Sequence, residues 1–193
     1  MQKILLLAFI VAAFSCNHKK YASPHILIET SYGDVEAELY PDKAPVTVAA
    51  FLSYVDSGFY KHSTFYRVLK REDLSADFNN GMIQGGIWQS NNSLLNRLQG
   101  IRHESTAQTN LSHTSGTLSL ARTGEGTART EFFICIGDQT QFDSGRRSVA
   151  DGLGYAAFGK VVTGMEVVRK IQSLPSTGEN FDRKIEITNI RRL

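Results

Sequence analysis

The sequence predicts a mainly β fold, an antiparallel barrel closed on itself and capped by two α-helices. Two observations point there. Short apolar or alternating runs recur along almost the whole chain, bounded by glycine, proline and polar turn residues. Only two segments carry an apolar stripe at helical spacing. Closing the sheet is the way so many short strands avoid exposed edges.

Taken in order, residues 26–30 and 35–39 flank a turn at Gly33-Asp34, and the second run alternates apolar and charged residues. Pro41 closes that hairpin. Pro45 suits the first turn of a helix, where its missing N–H costs nothing. Val48, Phe51, Leu52 and Val55 follow as one stripe, and Gly58 stops the helix. Strand-like runs recur at 65–69, 82–84, 116–121, 131–136 and 156–161. Met165, Val168 and Ile171 signal the second helix, with Pro175 beyond it, and the alternating run 184–190 is the last strand. Loops 70–80, 88–98 and 139–154 are expected on the surface, where specificity is commonly set.

Residues 1–15 have the pattern of an export signal. Lys3 is followed by an apolar run over 4–14 that is too short to span a membrane. Cys16 comes next and resembles the acylated cysteine of a bacterial lipoprotein. That makes 16–24 a lipidated tether and 25–193 the folded domain, held in the cell envelope and facing the periplasm or the cell surface. The basic His18-Lys19-Lys20 cluster would then sit at the lipid headgroups. The other cysteine, Cys135, lies in an apolar run and is expected to be a small buried hydrophobe rather than a disulfide partner.

A net charge of +2 excludes a nucleic acid or a strongly acidic partner as the main ligand. His18, His25, His62, His103 and His113 show no ligand spacing, so no metal is expected. No G-x-S-x-G elbow occurs, and Gly124-Glu125-Gly126 lacks the strand–helix context of a phosphate loop. The residues that remain are one arginine, one amide and several large apolar side chains. They suit the holding of a peptide against an apolar wall while a fixed cation donates hydrogen bonds to it.

Five segments carry a family likeness: Phe65-Tyr66-Arg67-Val68, Met82-Ile83-Gln84-Gly85-Gly86, the run 116–122, Glu131-Phe132-Phe133-Ile134-Cys135, and the run 155–161. In this order they resemble the cyclophilin peptidyl-prolyl cis-trans isomerases, from about Ile26 to Leu193. The resemblance implies an eight-stranded barrel with two helices and a cofactor-free isomerase. The implied ligands are proline-containing peptides and unfolded exported proteins, and nothing demands more than a monomer. Arg67 takes the place of the catalytic arginine, and Gln84 that of the glutamine that positions it. Phe65, Met82, Phe133 and Phe142 match the proline pocket. Ala121 and Arg122 match a segment whose main chain pairs with the peptide, and Tyr155 stands where many members have histidine.

Two departures bear on turnover. Gly81 stands where a pocket Phe commonly precedes Met82, which should thin the proline wall. Glu131 replaces the usual Gln, putting a carboxylate near the groove that either pairs with Arg67 or Arg122 or selects basic substrates. Both features favour a rival reading, a non-catalytic proline-peptide-binding or chaperone module on the same barrel.

Overall fold

A computed structural model describes residues 21–71, 75, 79–146 and 149–193. In chain order the elements are β1 (His25–Thr30), β2 (Gly33–Leu39), α1 (Pro45–Asp56), β3 (Ser63–Leu69), β4 (Gly81–Gly86), α2 (Asn92–Leu95) and α3 (Thr106–Thr109). There follow β5 (Thr117–Leu120), β6 (Phe132–Ile136), a 3-10 turn at Thr140–Phe142, β7 (Ala156–Thr163), α4 (Met165–Gln172), β8 (Ser176–Thr177) and β9 (Asn180–Arg192). The ring runs β1-β2-β7-β5-β6-β4-β3-β9 and returns to β1, with every pairing antiparallel. The expected eight-stranded closed barrel is there.

Strand β9 makes the closure. Its first half pairs with β3 (Phe65 opposite Ile185) and its second with β1 (Ile28 opposite Ile190). That double duty explains its 13 residues, against the seven expected from alternation over 184–190. The two-residue β8 folds back on its start, with Thr177 opposite Asn180.

The helices seen in the apolar stripes are α1 and α4. Val48, Phe51, Leu52 and Val55 are all buried, as the stripe requires. Phe51 is fully buried and meets Phe158 at 4.9 Å and Tyr60 at 5.2 Å between ring centroids. The helix has no acidic residue in its first turn and no side-chain cap of its own. The buried Glu104 supplies one from afar, accepting from the N–H of Val46 (3.1 Å) and Thr47 (2.8 Å). Val168 and Ile171 of α4 are buried, and the Gln172 amide donates to the Leu69 carbonyl at 3.0 Å.

Two further helices, α2 and α3, were outside the sequence expectation. Each is four residues long, too short to display a stripe. Local capping makes them: Asn91 accepts from the Leu94 N–H, and Ser105 with Gln108 forms a capping box. Cys135 is buried as expected, and burial pushes its thiol far up, leaving it protonated and inert. Residues 1–20, with Cys16, lie outside the described residues. Among the described residues, no helix is long and apolar enough to cross a membrane.

Phe51→Ala should lower the unfolding free energy by about 3–5 kcal/mol through the cavity it leaves. Denaturant melts followed by circular dichroism measure this, and a loss below about 1 kcal/mol would show that the site collapses freely.

Candidate functional site

A cavity of about 670 Å³ opens beside β3, β4 and β6 and the loops that follow β5 and β6. One end is an apolar slot. Met82 and Phe133 are nearly fully buried there, with Leu69, Ala121, Phe142 and Tyr155 packed against them. Phe133, Phe142 and Tyr155 meet edge to face in every pair, with centroids 5.2–5.5 Å apart. That arrangement is favourable beyond its buried area and holds the slot open and dry.

Behind the slot lies His113, fully buried and stacked on Phe133 at 5.8 Å. Its ring bonds Asp143 (2.6 Å) and Ser119 (3.0 Å). Burial holds its pKa below the ordinary histidine value, with Asp143 working against that. The imidazole therefore serves as neutral packing for the slot's floor.

Beside the slot stands Arg67, its side chain 36% exposed. Nη1 donates to Gln84 Oε1 at 3.0 Å, while Nε and Nη2 both donate to Glu179 Oε2 at 2.8 and 2.6 Å. Gln84 Nε2 in turn donates to the Tyr66 hydroxyl at 2.8 Å. The expected pairing of Arg67 with Gln84 is therefore present. Tyr66 and Glu179 join it without having been singled out from sequence. Tyr66 adjoins Arg67 in the motif, a usable signal. Glu179 lies 112 positions away on the β8–β9 turn and gives none.

Glu131 touches neither arginine. Its carboxylate accepts from the Tyr66 hydroxyl (2.6 Å), the Trp88 N–H (3.0 Å) and the Thr130 hydroxyl (3.1 Å). It thus does not pair with Arg67 or Arg122, and that expectation falls, while the residue still lines the cavity. Burial raises its pKa, and these hydrogen bonds pull the other way. Burial first, and then the Glu131 charge, push the Tyr66 hydroxyl far up, so it stays a donor.

Two more expectations are corrected, those for Phe65 and Gly81, and the side chain of Arg122 has a task of its own. Phe65 is 0% exposed and belongs to the barrel core, edge-on to Phe132, not to the slot. The Arg122 side chain is a structural clamp. It bonds Asp151 through both terminal nitrogens (2.5 and 2.8 Å) and the Gly154 carbonyl through Nε (2.8 Å). The hydrogen bonds from Arg122 hold the Asp151 carboxyl well below the usual range. Gly81, finally, leaves no gap in the wall: a Cβ there would collide with the Leu69 carbonyl oxygen, and its φ is +153°. The backbone itself fills the place, and Leu69 completes the wall.

At the start of the 88–98 loop, Trp88, 47% exposed, lies 5.1 Å from the Tyr66 ring and lines the cavity together with Thr123, Thr127 and Arg129. Among the described residues no group of His, Cys, Asp and Glu could hold a metal ion.

The model of the cyclophilin type peptidyl-prolyl cis-trans isomerase family matches residues 25–192. The chain is 37% identical over 179 residues to peptidyl-prolyl cis-trans isomerase A of Dickeya dadantii, covering 90% of this chain and 86% of that one. It is 35% identical to isomerase B of Escherichia coli, covering 80% and 87%. A cyclophilin type isomerase structure from Cryptosporidium parvum has the same fold at a TM-score of 0.68 and 23% identity, covering 89% and 98%. Another structure of that protein was determined in the presence of the dipeptide Ala-Pro.

Gly81→Ala should destabilise the domain by about 1–3 kcal/mol, since the added Cβ must displace a strand carbonyl. A melting temperature equal to the parent protein's would show that β3 and β4 separate there at no cost.

Proposed function

The chain belongs to the cyclophilin-type peptidyl-prolyl cis-trans isomerase family, and we propose that its Arg67 and Gln84 turn X-Pro bonds of exported proteins at the cell envelope. Rotation about an X-Pro bond breaks amide resonance over a barrier of roughly 18–20 kcal/mol. Unaided it takes about 10–100 s at 25 °C. No bond to another atom is made, so no acid, base or nucleophile is required. The catalyst has only to bind the twisted amide better than either planar form.

The observation that carries this reading is a guanidinium fixed on two sides at the mouth of a proline-sized apolar slot. In the twisted amide the proline nitrogen pyramidalises and gains a lone pair. An N–H of Arg67 directed at that lone pair makes a bond that the planar ground state cannot accept. Met82, Phe133, Phe142 and Tyr155 would hold the ring, with the main chain at Ala121 and Arg122 along the peptide. The side chains of Phe65 and Arg122 stand outside the contact surface in this scheme.

The envelope location rests on the sequence of residues 1–20. An apolar run ending at Cys16 supports acylation there, a tether of 16–24, and a monomeric domain acting on clients as they emerge.

In a proline-peptide isomerisation assay, Arg67→Ala should reduce kcat/KM by about 10²–10³ with the fold intact. A parent-like rate in that variant would remove Arg67 from the mechanism. In the native host, Cys16→Ser should abolish labelling by a radioactive fatty acid and move the protein from the membrane to the soluble fraction. Undiminished labelling would rule out this anchor.

A further inference from the structure

Glu131, Tyr66, Gln84 and Arg67 stand in one hydrogen-bonded row whose direction is fixed from both ends. A guanidinium only donates and an ionised carboxylate only accepts. Arg67 Nη1 donates to Gln84 Oε1 at 3.0 Å, which turns Gln84 Nε2 toward Tyr66 at 2.8 Å. The Tyr66 hydroxyl accepts that bond and has a single proton of its own to give. It gives it to Glu131 Oε2, at 2.6 Å. Glu131 Oε1 takes the Trp88 N–H and the Thr130 hydroxyl, which tie the row to the barrel rim.

An amide at position 131 would lack the second acceptor. Whichever way it turned, its NH2 group would face a donor, at Trp88 or at Tyr66. The other restraint on Arg67 is Glu179, whose side chain is 55% exposed. An ion pair so open to water contributes only about 0–1 kcal/mol and holds its partner loosely. Angular precision at the guanidinium must therefore come from the buried side.

We propose that Glu131, acting through Tyr66, is the positioning residue for the Gln84–Arg67 pair. This rests on the reading of Arg67 and Gln84 as the catalytic pair. It makes the carboxylate a part of the machinery. Because the reaction moves no proton, any dependence of turnover on pH has to enter through the site's own groups. Tyr66 and Arg67 from β3, Tyr60 from the segment after α1, and Arg129 just before β6 are the titratable or charged groups around Glu131. Burial raises the carboxyl's pKa above the ordinary glutamate value, so on acidification it takes up a proton before an ordinary glutamate does. Protonation gives it a donor, and the row loses its single direction.

The test is isomerisation of an uncharged proline peptide by the full-length protein and three variants, Glu131→Gln, Tyr66→Phe and Arg67→Ala. Glu131→Gln and Tyr66→Phe should each lower kcat roughly tenfold with KM nearly unchanged, since an interaction realised in the transition state is lost. On acidification the parent's kcat should fall at a higher pH than an ordinary glutamate would set, and that limb should be missing from Glu131→Gln. A kcat within about twofold of the parent in either variant that folds overturns the proposal, as does the same acid limb in Glu131→Gln. If Glu131→Gln does not fold, Tyr66→Phe decides alone, because its ring keeps the packing and only the hydroxyl is gone. A parent-like rate in Arg67→Ala would overturn the underlying reading instead, so the two failures are distinct.

Discussion

Between Phe65 and Arg67, strand β3 carries one residue more than the strands beside it. Phe65 stands opposite Gly85 and Arg67 opposite Gln84, so two residues of β3 answer one step of β4. Strict alternation would put Phe65 and Arg67 on the same face. The extra residue breaks that rule: Phe65 enters the core, while Tyr66 and Arg67 both reach the groove. Against β9 the partners jump from Ile185 to Asn180 at the same point, which delivers the β8–β9 turn and Glu179 to the guanidinium. Gly85 makes the close approach possible. A Cβ there would sit 2.6 Å from the Thr64 carbonyl oxygen and 2.8 Å from the Phe65 ring. Barrel closure, the buried core and the reactive edge thus meet at one irregularity.

That irregularity also marks what the sequence reveals and what it hides. The eight strands, α1 and α4 are legible because each repeats a pattern that burial enforces over several residues. The slot residues Met82 and Phe133 are legible because the motifs around them are continuous in sequence. Phe65 was misassigned because a bulge leaves no mark on an apolar-polar pattern, so neighbours in a motif were taken as neighbours in a pocket. Gly81 was misjudged for a related reason: it was weighed as a thinner wall, but the Leu69 main chain already occupies the place its side chain would take. The one-turn helices rest on local caps, for which Ser105 and Gln108 three residues apart are a readable signal, but they are too short to show a stripe. Glu104 caps α1 from 58 positions away, a contact with no local signal.

The site works without acid–base chemistry, and the pattern of its charges fits that. Of the five N–H groups a guanidinium carries, three bond to Gln84 and Glu179 among the described residues, leaving two for a ligand. Glu179 neutralises the cation in the free protein and, being exposed, costs little to outcompete. The aromatic slot beside it lowers the local dielectric once a proline ring fills it, and a hydrogen bond made there gains accordingly. Directional donors and a dry wall are the requirements for stabilising a twisted amide.

A second arginine on the same groove makes the contrast. Arg122 and Arg67 both line the cavity and both bind a carboxylate. Burial separates them. The Arg122 side chain is 1% exposed and divides its donors between Asp151 and the Gly154 carbonyl. Moving it would break these bonds together and leave the Gly154 carbonyl without its donor. It therefore fixes the loop that places Tyr155, over whose ring its guanidinium lies at 5.8 Å. Arg67 keeps water on one side and a removable partner on the other, so its donors are available when an amide arrives. The two guanidiniums differ because Arg122 is buried with four of its five N–H groups bonded to Asp151 and the Gly154 carbonyl, while Arg67 faces water with three of five bonded among the described residues.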